Sequence, residues 1–150
     1  MRVLDVYTPH ARTALRDGPL AEAARTMCNE HIGALVVLDH KDARRRPVGV
    51  LTDRDIVRGQ LRRATDLYCL TVGDVMTSDP LVLPAHLEVT EAIEALNARA
   101  VRRAPVLDPQ GNLTGMVTLD DLLPALAQEL TALATLLSSQ ARHERARSTP

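Results

Sequence analysis

Two threonine-aspartate pairs carry the chemistry visible in this sequence: Thr52 and Asp55 within GVLTDRD (49–55), and Thr118 and Asp121 within GMVTLDD (115–121). In each, an apolar run ends at the threonine, the aspartate follows three residues later, and a new apolar pair begins at Ile56-Val57 or Leu122-Leu123. That spacing is a capping box at a helix start, in which the hydroxyl accepts the N3 amide and the carboxylate accepts the N-cap amide. The same place also suits a ligand. A helix N-terminus offers unpaired amides and the positive end of its dipole. A carboxylate there accepts from the hydroxyls of a ribose, as the acidic residue does in dinucleotide-binding folds. Hydrogen bonds to a charged group are worth about 1.5–3 kcal/mol each, enough for Thr52 and Asp55 to separate binding from no binding. The carboxylate would repel phosphate, so a phosphorylated ligand needs cations. Arg54 is placed to reach one, although an exposed arginine in a first helical turn explains it equally.

Two copies of so short a motif need a cause, and the chain supplies it as a duplication. Residues 3–39 align without a gap on 72–108, so that Val3, Asp5, Val6 and Thr8 meet Val72, Asp74, Val75 and Thr77. Val37-Leu38-Asp39 likewise meets Val106-Leu107-Asp108. The first copy then carries a longer loop, and the register changes there, as a hairpin tip tolerates.

Each copy predicts the same elements. DVYT or DVMT leads into a short extended piece. An amphipathic helix follows, with Leu20, Ala23, Ala24 and Met27 or Val89, Ala92, Ile93 and Leu96 at 3.6-residue spacing. ALVVLD and APVLD read as buried strands, VGVLT and TGMVT as their returning partners, and a helix starts at each threonine.

Composition narrows the function. The 150 residues are 45% apolar, and 18 basic residues nearly balance 19 acidic ones, so no global field favours nucleic acid or an acidic membrane surface. Tyr7 and Tyr68 are the only aromatic rings, which disfavours single-stranded nucleic-acid binding by base stacking. Cys28 and Cys69 are too few for a disulfide framework and no signal-peptide pattern is read, so a reducing cytoplasm is the expected setting. No run of about 18 apolar residues is read either, and no membrane span is expected.

The order strand, helix, strand, strand, helix, with the DVMT entry, HIGALVVLD, VRRAPVLD and both Thr-x-x-Asp motifs, resembles the cystathionine-β-synthase (CBS) domain. Two in tandem resemble the Bateman module. The resemblance covers residues 1 to 127. It implies an α/β (α+β) fold of two β-α-β-β-α repeats packed with pseudo-twofold symmetry around two clefts. It also implies a non-catalytic, regulatory role: an adenosyl nucleotide, AMP or ATP foremost, is sensed and reported through lobe or dimer geometry. Thr52, Asp55, Thr118 and Asp121 would hold ribose. Arg102 and Arg103 resemble the basic pair that reaches the phosphate of a nucleotide held by the other half, here the one on Thr52 and Asp55. Their first-half counterparts are Gly33 and Ala34, so the Thr118/Asp121 cleft is expected to bind less phosphate, bind weakly or stay empty. With so few rings, adenine would lie between aliphatic side chains.

The expected organisation is a first repeat at 1–60, a linker at 61–71, a second repeat at 72–127, and an amphipathic helix ending in a disordered tail at 128–150. Leu126, Leu130, Leu133 and Leu137 alternate four and three apart, a seam for another helix. That seam would cap its own lobe or join two subunits. Paired modules of the resembled family commonly form flat dimers, so the resemblance implies a homodimer. Pro124 is expected to bend or restart the helix begun at Thr118. An effector protein acting in trans is the implied partner. The alternative is an interaction protein with ligand-free clefts, docking through its dimer face or the leucine seam. Cys28 and His31, three apart, could place two metal ligands on one helix face, but His10, His40 and Cys69 offer no second pair with zinc-like spacing. Cys28 is therefore expected buried, and no metal, cofactor or catalytic residue is assigned. ARRR (43–46) reads as a solvated loop.

Overall fold

The computed structural model describes residues 1–42 and 45–147, with side chains described to residue 141. Ala43 and Arg44 of the ARRR loop and residues 148–150 of the expected tail lie outside the described residues. The apolar runs become β3 (Ala34–Leu38) and β7 (Arg103–Leu107), which pair antiparallel with β4 (Pro47–Thr52) and β8 (Leu113–Thr118). β3 is buried at all its positions, as expected of a central strand covered on both faces. Short strands β2 (Thr13–Leu15) and β6 (Leu83–Pro84) lie parallel to β3 and β7, each joined by a crossover helix: α1 (Leu20–Glu30) and α4 (Val89–Ala98). After the hairpins come α2 (Asp53–Arg63) and α5 (Leu119–Arg147). A short helix α3 (Val72–Val75) opens the second half.

The duplication extends to backbone conformation. Non-glycine residues with positive φ recur in register: His10 with Asp79, and His31, the C-cap of α1, with Ala100. Arg45 in the first hairpin loop answers Gly111 in the second. Such positions are locally strained for L-residues and must be held by their surroundings.

The repeats nevertheless differ from the spatial lobes. β1 (Thr8–Pro9) joins the second repeat's sheet, in order β1-β8-β7-β6, while β5 (Thr77–Ser78) joins the first repeat's, in order β2-β3-β4-β5. The cores follow the same exchange. Val3 is buried with Leu83, Leu96 and Val117, and Leu70 and Val72 are buried with Leu20, Leu35 and Leu51. The glycine of each repeated motif makes room for the visitor. A Cβ at Gly49 would stand 2.6 Å from Met76 Sδ and 2.9 Å from the Thr77 carbonyl oxygen. One at Gly115 would overlap the Thr8 carbonyl and stand 2.5 Å from the Tyr7 ring.

Pro124 does not interrupt the last helix: α5 runs as one helix from Leu119 to Arg147, past the expected restart and into the segment read as a tail. A proline six residues into a helix loses one hydrogen bond, to the carbonyl of Asp120, and tertiary packing offsets it. Leu122 and Ala125 on the flanking turn are buried. Leu119–Ala141 has the length and mean hydropathy that also suit a membrane span, although Asp120, Asp121, Gln128 and Glu129 interrupt its apolar residues. Leu130, Leu133, Leu136 and Leu137 are exposed on it. Cys28 is exposed rather than buried, as is Cys69.

Asp74 caps α3: its Oδ2 accepts the Thr71 amide at 2.8 Å and the Thr71 hydroxyl at 2.9 Å. The Thr71 main-chain and side-chain bonds hold the carboxyl below its ordinary value of 3.8, with a smaller contribution from Arg63. A depressed folded pKa contributes stability above the unfolded value that is lost as pH falls through it and the lower folded value. Asp74→Asn is therefore expected to flatten the stability profile below pH 3.8, as read by urea unfolding between about pH 2.5 and 5.

Candidate functional site

Both Thr-x-x-Asp motifs form the capping boxes that their spacing predicts. The Thr52 amide donates to Asp55 Oδ2 at 2.9 Å, the Thr52 hydroxyl to the same oxygen at 2.8 Å, and the Asp55 amide to Thr52 Oγ1 at 3.2 Å. At Thr118 and Asp121 the three distances are 2.8, 2.7 and 3.3 Å. Asp55 Oδ1 has no hydrogen-bond partner among the described residues, whereas Asp121 Oδ1 accepts the Thr8 hydroxyl at 3.5 Å. The first carboxylate thus keeps an oxygen free beside its cap, and the second has the Thr8 hydroxyl at 3.5 Å, long for such a bond.

A cleft of about 500 Å³ opens beside the first pair. Its walls bring Thr52, Arg54 and Asp55 of one lobe together with Arg102 and Arg103 of the other. Across the gap, a Cβ at Gly33 would stand 3.8 Å from Arg103 Nη1 and 3.9 Å from Asp53 Oδ2, so the missing side chain at Gly33 leaves space where the Arg103 guanidinium reaches over. The side chains of Arg54, Arg102 and Arg103 make no hydrogen bond or ion pair among the described residues. Val50, Pro80, Leu81 and Val101 supply the aliphatic surface.

The rim carries a pair that sequence spacing did not single out. Arg99 Nη2 donates to the Asp79 carbonyl at 2.8 Å and to its carboxylate at 3.1 Å, and both residues line the cleft. The only sequence signal for Arg99 is that it stands three residues before Arg102.

The two halves are unequal here. The matching positions for Leu81 and Arg99 are Arg12 and Glu30, joined by a bidentate ion pair, and those for Arg102 and Arg103 are Gly33 and Ala34. Arg12 is therefore neutralised by Glu30, and Arg102 and Arg103 have no cationic counterpart at the matching positions. The candidate metal ligands do not assemble: among the described residues no group of three or more His, Cys, Asp or Glu side chains stands ready for an ion.

Comparison with known proteins identifies the fold. The CBS domain family matches residues 3–62 and 72–128, once in each repeat. An uncharacterised protein of Methanopyrus kandleri is 30% identical over 126 residues, which is 82% of this chain and 63% of that protein. The inosine-5'-monophosphate dehydrogenase of Methanocaldococcus jannaschii is 33% identical over 111 residues, 74% of this chain but only 21% of the enzyme. Among solved structures, CBSX2 in complex with AMP is 27% identical with a TM-score of 0.70, over 85% of this chain and 96% of that one. Matched in both halves, the chain belongs to the CBS domain family, as a tandem pair of CBS domains.

Proposed function

We propose that the chain is a non-catalytic regulatory module that binds an adenosyl nucleotide, AMP or ATP foremost, in the cleft between Thr52/Asp55 and Arg102/Arg103. The observation that carries this reading is the convergence of three unpartnered guanidiniums and a half-free carboxylate on one cleft. A carboxylate oxygen suits ribose hydroxyls, guanidiniums suit phosphate oxygens, and the aliphatic wall suits a purine face. The AMP complex of CBSX2 supports the class of ligand. The Thr118/Asp121 position is the weaker or empty one, because Gly33 and Ala34 stand where the first cleft has Arg102 and Arg103, and Arg12 is paired with Glu30. As a sensor the module needs different affinities for its ligand in two shapes, read by an effector in trans. The setting is cytoplasmic, where two exposed thiols remain reduced.

A second reading rests on α5, whose exposed Leu130, Leu133 and Leu137 form a seam. In the first reading that seam helps to join a homodimer; in the second it docks a partner and the cleft stays empty. A thermal-shift panel of AMP, ADP, ATP, NAD, S-adenosylmethionine and c-di-AMP on protein stripped of bound ligand separates them. A concentration of one hundred times Kd is expected to add about 2.7 kcal/mol of stability. Absence of any shift across the panel transfers the argument to the docking reading.

A further inference from the structure

A second concave site lies on the other side of the Thr52/Asp55 helix start, and its chemistry is cationic. Arg58, Arg62 and Arg63 of α2 border a cavity of about 410 Å³, whose floor includes Val75 and Met76. The floor is set by Gly59: any Cβ there would overlap Val75, so α2 meets α3 too closely for a side chain of its own to fill the space. Two carboxylates also border the cavity: Asp55, whose Oδ1 has no partner among the described residues, and Asp74, which is held by Arg63. Asp55 Oδ2 serves the α2 cap, and Asp74 serves the α3 cap while pairing with Arg63 at 3.6 Å. Arg58 and Arg62 have no ion-pair partner among the described residues.

The plain explanation of Arg62 and Arg63 is that cations in a last turn offset the helix dipole. It does not reach Arg58, one turn earlier, where a second like charge at i,i+4 opposes helix stability. The duplication supplies an internal control. The corresponding positions of α5 are Pro124, Gln128 and Glu129, so the fold itself does not demand cations there. We propose that Arg58, Arg62 and Arg63 form an anion site for a compact, multiply charged phosphate group, adjoining the nucleotide cleft across the shared Asp55 and Thr77. The unpaired guanidiniums of Arg58 and Arg62 suit bidentate recognition of phosphate oxygens, with Arg63 beside them held by the carboxylate and carbonyl of Asp74. The inference stands on the cavity and its arginines and does not require the nucleotide reading.

The test is calorimetric titration of the full chain with inorganic pyrophosphate, without divalent cations and at fixed ionic strength. Saturable binding is expected, with a component that survives removal of the cleft arginines. That component should weaken at least tenfold in Arg58→Ala/Arg62→Ala and persist in Arg102→Ala/Arg103→Ala. Both arginines of the first variant are exposed, so its melting curve should match the wild type, and its response to AMP should be unchanged. Unaltered pyrophosphate affinity in the Arg58/Arg62 variant would overturn the proposal. So would loss confined to the Arg102/Arg103 variant, which places the anion in the nucleotide cleft, or heat that equal ionic strength of sodium chloride reproduces. If AMP fails to bind while pyrophosphate behaves as expected, the nucleotide reading fails and this one stands.

Discussion

Replacing Asp55 by alanine is expected to weaken AMP binding by about one to two orders of magnitude, whereas Asp121→Ala should change it by less than about threefold. The magnitude follows from the charged hydrogen bonds lost with the ribose hydroxyls, about 1.5–3 kcal/mol. The pair of variants is self-controlling because both carboxylates do the same structural work. Each accepts its N-cap amide and threonine hydroxyl at 2.7–2.9 Å, so each substitution removes the same cap. Both should therefore lower stability by a similar amount, roughly 1 kcal/mol. What differs is the free oxygen of Asp55 and the cations opposite it. Titration calorimetry with AMP on the two variants reads the contrast directly. Equal losses of affinity would sink the assignment of the occupied cleft.

The second large effect is structural. Gly115→Ala places a methyl against the Thr8 main-chain carbonyl and the Tyr7 ring, where β1 crosses from the other repeat. Neither obstacle is the loose end of a side chain, so the exchanged strand must move. Overpacking of this kind costs about 1–3 kcal/mol and sometimes more. For a chain of this size, that lowers the melting temperature by roughly 2–12 °C. Gly49→Ala meets the flexible Met76 thioether first, with the Thr77 carbonyl at 2.9 Å, and is expected to cost less. Hydrogen exchange should show the amides of residues 1–9 losing protection in the Gly115 variant before the rest of the second lobe. A melting temperature within a degree of wild type for Gly115→Ala would show that β1 is not seated against β8.

Much of the fold was legible because its causes are local. The capping boxes at Thr52 and Thr118 need only a hydroxyl and a carboxylate three residues apart, and both formed as the spacing predicts. The helices α1 and α4 follow from one apolar stripe each, and the hairpins from two apolar runs around a polar loop. Of the two outcomes expected at Pro124, a bend or a restart, the restart does not occur. A proline taken alone argues for a break, but burial of Leu122 and Ala125 holds the helix through it.

The amino-acid sequence by itself determined the duplication, the element order, the caps and the unequal distribution of arginines between the halves. These depend on residue identity and on contacts a few positions apart. Only the tertiary structure decided that β1 and β5 change lobes, since strands of two residues carry no period and pair with partners remote in the chain. The meeting of Arg102 and Arg103 with Thr52 and Asp55 in one cleft was implied by the family resemblance, and the structure alone added Arg99 and Asp79 at its rim and Thr8 beside Asp121. Such meetings depend on how two packed lobes close on each other, which no local spacing encodes.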